Sequence, residues 1–429
     1  MQSEEKPVMA TGLERIAAKA REEPKLRFTS LAHHITGERV RKNLNQIPNR
    51  SAPGVDGQRV AEAKEDFDLW IEPMLEAVHR QGYPAPPIRR VYIPKPGKQE
   101  KRPLGVPCVS DRALQRSTAE VLSAIYEQDF LPCSFGGRPG LGAHQALATL
   151  NEVIAGRKVG WVLEADLKNF FGSLDHGWLL RFVEHRVGDP RLIGLIRRWL
   201  KAGILEDGEI HPNEEGTPQG GSISVLLSNV YLHYVLDLWF ERVVKTRLRG
   251  EAYLVRYIDD FVVCFQYRED ALRVQEALRK RLGKYGLTLE PSKTKLVEFG
   301  RFAQRHAPKR GRKRPQTIYF LGFTLYCTRN RKGNFKVGMR TSFIDYIDKM
   351  YVPYFQEKIP GSTRDSLIAE SSLESIESFL RNADNIALIH NVDDFIMAEG
   401  EIDYLRQVFG SRARIYPIGG HLGNLAYRD

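Results

Sequence analysis

Short apolar strands interleaved with amphipathic helices predict a protein of mixed α and β structure. Three observations carry that prediction. Two runs of apolar, β-branched and aromatic residues deliver acids at their ends or middle: Trp161-Val162-Leu163-Glu164-Ala165-Asp166, and the stretch from Leu254 to Cys264 around Asp259-Asp260. Helical periodicity marks residues 61–79, 111–130, 224–244 and 270–285. Charge is also unevenly divided, with 56 Lys+Arg against 39 Asp+Glu in residues 1–340 and 8 against 14 in residues 341–429.

At 429 residues the chain is long enough for two or three domains with their own cores. No apolar run approaches the roughly 18–20 residues of a membrane span. The opening Met1-Gln2-Ser3-Glu4-Glu5 has no signal-peptide pattern, so the expected location is cytoplasmic, without membrane association. Cys108, Cys133, Cys264 and Cys327 lie far apart with no C-x-x-C pair, which argues against a zinc module and a disulfide framework. A net charge of +11 points to a polyanionic partner, and the charge sits in the body, not the tail.

In chain order, residues 1–35 read as a helical lead-in, and Asn49 to Gly57 is a loop dense in turn formers. The helix at 61–79 puts Leu69, Trp70, Met74, Leu75 and Val78 on its apolar side. A cationic hairpin follows, with Arg89 to Pro96 leading to a basic tip at Gly97-Lys98-Gln99-Glu100-Lys101-Arg102. Such a tip can neutralise charge on a triphosphate. The loop Ser134 to Gly140 is glycine-rich but lacks the P-loop pattern.

The strand at 161–165 delivers Asp166 where a carboxylate can leave a sheet and face a site. Gly216-Thr217-Pro218-Gln219-Gly220-Gly221-Ser222 exposes its backbone ahead of the helix at 224–244, and Gln219 is its member with a polar side chain to aim at a ligand. Asp259-Asp260 reads as the turn of a hairpin between buried strands. Adjacent carboxylates repel unless a cation lies between them, and hard divalent ions take oxygen ligands. Residues 301–314 form a strongly basic, Gly/Pro-punctuated segment that reads as a solvated loop or a backbone clamp. Asp166, Asp259 and Asp260 together suit two Mg²⁺ ions in nucleotidyl transfer.

Seven ordered motifs give the chain a family resemblance. They are Ala52-Pro53-Gly54-Val55-Asp56-Gly57; Tyr92-Ile93-Pro94-Lys95-Pro96 with Arg102-Pro103-Leu104-Gly105; Ala165-Asp166-Leu167-Lys168-Asn169-Phe170-Phe171; Gly216 to Gly221; Tyr257-Ile258-Asp259-Asp260; Pro291-Ser292-Lys293-Thr294-Lys295; and Phe320-Leu321-Gly322-Phe323. In this order they resemble the reverse transcriptases encoded by bacterial group II introns. The resemblance implies an α+β right-hand polymerase with fingers and palm. It implies an RNA-directed DNA polymerase that adds dNTPs to a DNA or RNA primer on an RNA template. Asp166, Asp259 and Asp260 are then ligands for two Mg²⁺ (or Mn²⁺). Phe170 would exclude a 2′-hydroxyl, Gln219 would contact the incoming nucleotide, and Lys98, Lys101 or Arg102 would meet its phosphates, with Lys293 a further phosphate candidate. The alternative is an intron RNA-binding splicing protein, a maturase, with weak or no polymerase activity.

Two departures stand out. Ile258 replaces the usual alanine, and Gly137 replaces the usual aromatic before Arg138. Beyond Thr341 the family's basic thumb is expected, yet the chain turns acidic. Strands at 385–390 and 414–417, a helix near 402–409, Asp393-Asp394 and His421 resemble the end of an α/β-hydrolase, without a G-x-S-x-G nucleophile elbow. The expected organisation is a lead-in at 1–35, fingers at 36–160, palm at 161–340, and an unrelated α/β tail at 341–429 in place of the thumb. No zinc-bearing endonuclease module and no protein partner are expected.

Overall fold

The computed structural model describes residues 12–94, 101–206, 208–213, 216–217, 223–341, 388–391, 407 and 413–416. The chain divides into two compact units, Met1–Pro315 and Gln316–Asp429.

The first unit opens with α1 (Gly12–Glu22) and α2 (Gly37–Asn45), followed by α3 (Val60–Glu65) and α4 (Phe67–His79). The single helix expected at 61–79 is therefore two, broken at Asp66. In α4 the buried stripe is Phe67, Ile71, Met74 and Val78, and Leu69, expected on that stripe, is 77% exposed. Strands β1 (Ile88–Pro94) and β2 (Lys101–Val106) form the predicted antiparallel hairpin, with Pro94 opposite Lys101 and Ile93 opposite Arg102. Helix α5 (Val109–Asp129) packs against α1 and α2. Its buried Asp111 accepts hydrogen bonds from Tyr83 Oη at 2.9 Å, Gln115 Nε2 at 2.8 Å and Trp199 Nε1 at 2.8 Å. Three donors on one buried carboxylate are what make that burial tolerable.

After α6 (Ala143–Gly156) comes β3 (Trp161–Ala165), then α7 (His176–Glu184) and α8 (Pro190–Lys201). Short strands β4 (Ile204–Glu206) and β5 (Glu209–His211) extend the hairpin sheet to the order β2-β1-β4-β5. Helix α9 (Ser224–Leu232) continues through wider π-helical turns, His233–Asp237 and Phe240–Val244. Strands β6 (Ala252–Tyr257) and β7 (Asp260–Phe265), helix α10 (Arg268–Lys284) and strand β8 (Lys295–Glu298) complete the central sheet in the order β6-β7-β3-β8. All its pairs are antiparallel, and α6 and α10 pack against it. Val162, Leu163, Val262, Val263, Cys264 and Phe265 are almost wholly buried, so β3 and β7 form the middle of this sheet. A short helix α11 (Ala303–His306) follows β8.

Asp189, the N-cap of α8, ties the N-terminal region to this body. Its carboxylate accepts from Leu31 N at 2.7 Å, Ala32 N at 2.9 Å, and the Arg191 side chain at 3.0 and 2.9 Å. Burial alone would raise its pKa, but the Arg191 and backbone N–H bonds outweigh burial and bring it down to about 2. A depressed carboxylate pKa stabilises the fold above the unfolded value, and the benefit disappears as pH falls through the folded one. We expect Asp189→Asn to cost about 2 kcal/mol at neutral pH. The wild-type advantage should vanish between about pH 4 and pH 2, as followed by thermal denaturation across that range.

The second unit contains a meander of β9 (Ile318–Phe320), β10 (Phe323–Arg329) and β11 (Phe335–Thr341), in which β10 is central. Further on, β12 (Leu388–Asn391) and β13 (Ala413–Tyr416) pair in parallel. The predicted Asp393-Asp394 and His421 lie outside the described residues.

Candidate active site

Asp166 leaves β3 immediately after Ala165, which pairs with Phe261 of β7. One step along this antiparallel register sets Asp166 level with Asp260, the first residue of β7. Residues directly opposite in such a ladder have Cα atoms about 4.5–5.5 Å apart with side chains on one face. On this register the two acids lie toward the same end of the central sheet.

A cation answers them. Asp166 O accepts from Glu290 N at 2.8 Å, which draws residues 287–294 alongside and brings Lys293 Nζ to 2.5 Å from Asp166 Oδ2. The Asp166 carboxylate, chiefly through this hydrogen bond, raises the Lys293 pKa, and the charge of Asp260 adds to the effect. Lys293, expected at a nucleotide phosphate, is thus paired with one of the expected metal ligands, Asp166, and feels the charge of another, Asp260.

Asp260 occupies a different position from the one expected. The hairpin turn is Ile258-Asp259, closed by the Tyr257–Asp260 pair, so Asp260 belongs to the strand and only Asp259 to the turn. Ile258 adopts φ 56°. A β-branched residue in the left-handed region costs on the order of 1–3 kcal/mol and persists only where its surroundings hold it. Arg256 supplies that hold. Its side chain is fully buried, and Nη1 donates to Ile258 O at 2.9 Å.

The same guanidinium donates to both oxygens of buried Asp237 at 2.8 and 2.7 Å, to Asn229 Oδ1 at 2.9 Å and to Ser134 Oγ at 2.7 Å. All five N–H donors of the group are thereby used. The π-helical turn after α9 contains Asp237, and the strand end at Tyr257 meets the glycine-rich loop through the same knot. Arg256 N donates to Cys133 O at 2.7 Å, and Phe135 N donates to Arg256 O at 2.9 Å. Sequence reasoning missed Arg256. Its one signal is a permanent charge inside an otherwise apolar strand, which requires a buried partner.

The glycine-rich loop explains one departure from the family. A Cβ at Gly136 would lie 2.7 Å from both Ile258 Cγ1 and Ile258 N, so the loop backbone rests on the carboxylate turn. At Gly137, φ is 69° and a side chain would strike Val225, which leaves no place for an aromatic. Arg138 turns inward to Glu127 at 2.9 Å and to Ser134 O at 2.7 Å.

Phe170 follows Asp166 in a 3-10 turn, with its ring packed in the core at 1% exposure and Phe171 edge-on at 5.4 Å. The start of the Gln219 loop is stitched to that turn. Thr217 N donates to Phe171 O at 2.6 Å, and His176 Nε2 lies 2.6 Å from Gly216 O. Gly216 has φ 82°, and a Cβ there would stand 2.6 Å from Phe171 O, so only glycine allows this approach. Gln219 and Lys98 themselves lie outside the described residues. Lys101 and Arg102 open β2.

The donors fit a divalent ion in kind, since the carboxylates are hard oxygen ligands and already draw a cation. Among the described residues, no group of three or more His, Cys, Asp and Glu side chains is close enough to cage a metal. Mg²⁺ rarely uses such a cage; one or two carboxylates plus substrate phosphates suffice.

Comparison with known proteins gives the class first. Residues 93–325 match the family described as Reverse transcriptase (RNA-dependent DNA polymerase), and the chain belongs to it. Among individual relatives, it is 33% identical over 256 residues to the Group II intron-encoded protein LtrA of Lactococcus lactis subsp. cremoris, covering 57% of this chain and 42% of LtrA. It is 29% identical over 358 residues to Protein YkfC of Escherichia coli (strain K12), covering 75% of this chain and 90% of YkfC. A third relative, the Uncharacterized 91 kDa protein in cob intron of Schizosaccharomyces pombe, is 35% identical over 171 residues, 40% of this chain and 21% of the relative. The chain thus spans less than half the length of LtrA. Among the described residues, no helix is long and apolar enough to cross a membrane.

Proposed function

We propose that this chain is an RNA-directed DNA polymerase of the group II intron type, extending a DNA or RNA primer with dNTPs on an RNA template. The observation that carries the reading is the placing of Asp166 and Asp260 toward one end of the central sheet, with Lys293 paired to Asp166. Asp166 and Asp260 would hold Mg²⁺, with Asp259 on the adjoining turn as the third ligand. When bound, two such ions supply Lewis acidity and a deprotonated 3′-hydroxyl. The protein's own part is positioning. Lys293 neutralises Asp166 and is placed to pass to the phosphates of an incoming nucleotide. Lys98, Lys101 and Arg102 on the β1–β2 hairpin would add charge there, and Gln219 would meet the nucleotide from a loop stitched to the Phe170 turn. Phe170 would act as the 2′-hydroxyl filter from within the floor of the site.

Primer extension on poly(rA)/oligo(dT) with Mg²⁺ is the direct test, and incorporation of dTTP is the expected result. No incorporation by folded protein that binds the template would overturn the polymerase reading. One observation favours the second reading, a maturase that binds intron RNA without synthesis: Lys293 is already paired with Asp166. A protein that promotes splicing of its intron RNA but incorporates nothing would establish it.

For the C-terminal region we infer a fragment like the end of an α/β-hydrolase. Parallel strands such as β12 and β13 require a crossover connection, usually helical, which supports that reading.

A further inference from the structure

The basic segment after β8 is not part of the site just described. Trp161 pairs with Glu298 at the end of β3 opposite Asp166. At about 3.3 Å per residue, the two ends of this strand are roughly 15 Å apart. Residues 299–317 contain seven Lys or Arg and no Asp or Glu.

This run is built onto the sheet and held there. Glu298 accepts from Arg310 Nε at 2.7 Å and lies 2.8 Å from His306 Nδ1. The Arg310 guanidinium sits 5.1 Å over the Trp161 ring, and Arg301 Nη2 donates to Ala155 O at 3.0 Å. Ala303 and Ala307 are buried under the turn. Arg305, Lys309, Lys313 and Arg314 face outward from this frame. Among them Phe302 exposes 50% of its surface, with His306 stacked at 6.3 Å. Clustered cations repel one another unless a polyanion neutralises them. A half-exposed aromatic ring among cations adds what phosphate binding does not need, a face for an unpaired base.

We propose that residues 301–314 form a second nucleic-acid surface that binds single-stranded RNA, with Arg305, Lys309, Lys313 and Arg314 on its phosphates and Phe302 stacked on a base. The surface rests on the nucleic-acid reading above and adds a site at the far end of the sheet from Asp166. It anchors a flanking segment of the RNA, apart from the nucleotides being copied.

The test is fluorescence anisotropy with a labelled single-stranded RNA of about 20 nucleotides, titrated between 50 and 300 mM KCl. Replacing Arg305, Lys309, Lys313 and Arg314 together by Gln should make the plot of log affinity against log salt shallower by about 0.7 for each phosphate no longer neutralised. Phe302→Ala should weaken binding about 5- to 100-fold without changing that slope. All five side chains are outward, so the variants should melt with the wild type. An unchanged slope in the fourfold variant overturns the surface. A neutral Phe302→Ala, or equal losses on duplex DNA, overturns its single-strand character. Wild type that binds RNA with the expected slope but incorporates no nucleotide would sink the polymerase reading and leave this surface standing. Active wild type with an unaltered fourfold variant would do the reverse.

Discussion

Replacing Asp166 or Asp260 by Asn is expected to lower dNTP incorporation by at least about 10²–10³-fold while leaving RNA affinity within about twofold. Asn preserves the shape of each side chain and removes the charge, which is the property a divalent ion would use. Asp166 follows the Ala165–Phe261 pair of β3 and β7, and Asp260 precedes it, so both acids lie at the same end of this strand pair. The Lys293 ammonium at 2.5 Å reports how strongly that end attracts positive charge. Steady-state incorporation on a primed RNA template, beside anisotropy with the same template, checks both halves of the expectation. Losses in affinity equal to the losses in incorporation would place these residues in binding and overturn the catalytic assignment.

Arg256→Met should be strongly destabilising, at roughly 3–5 kcal/mol, because it strands the fully buried Asp237 carboxylate. A protein of this size should lose roughly 3–6 °C in Tm. Arg256→Lys should recover little, since one ammonium cannot reproduce a planar fork that serves Asp237, Asn229, Ser134 and Ile258 together. Adding Asp237→Leu to Arg256→Met should restore part of the loss, because the unpaired charge leaves with its partner. Thermal denaturation of the two single variants and the double variant measures the coupling. Strictly additive losses would show that the buried pair does not act as a unit.

Arg256 also shows why part of the site is hidden in the sequence. Its partners come from residues 134, 229, 237 and 258, four segments with no common local pattern. Lys293 is a related case. The family resemblance makes it a phosphate candidate, and its place against Asp166 depends on the 287–294 segment running beside the end of β3. The hairpin turn lies one residue away from where the sequence puts it, for a local reason. Turn chemistry favours Asp-Asp over Ile-Asp at the tip, and only the buried guanidinium makes a left-handed isoleucine tenable.

By itself the sequence determined the family, the strand that ends at Asp166, the carboxylate hairpin, the glycine-rich loops and the basic segment. These are written in short-range signals, such as apolar runs ending in acids and glycines where the backbone must come close. Tertiary structure decided the rest. It brought Asp166 and Asp260 to one end of the sheet, paired Lys293 with Asp166, anchored the turn through Arg256 and put the basic segment at the opposite end of β3. Each depends on side chains meeting across long stretches of chain, and strand order and register, which local composition does not encode, bring them together.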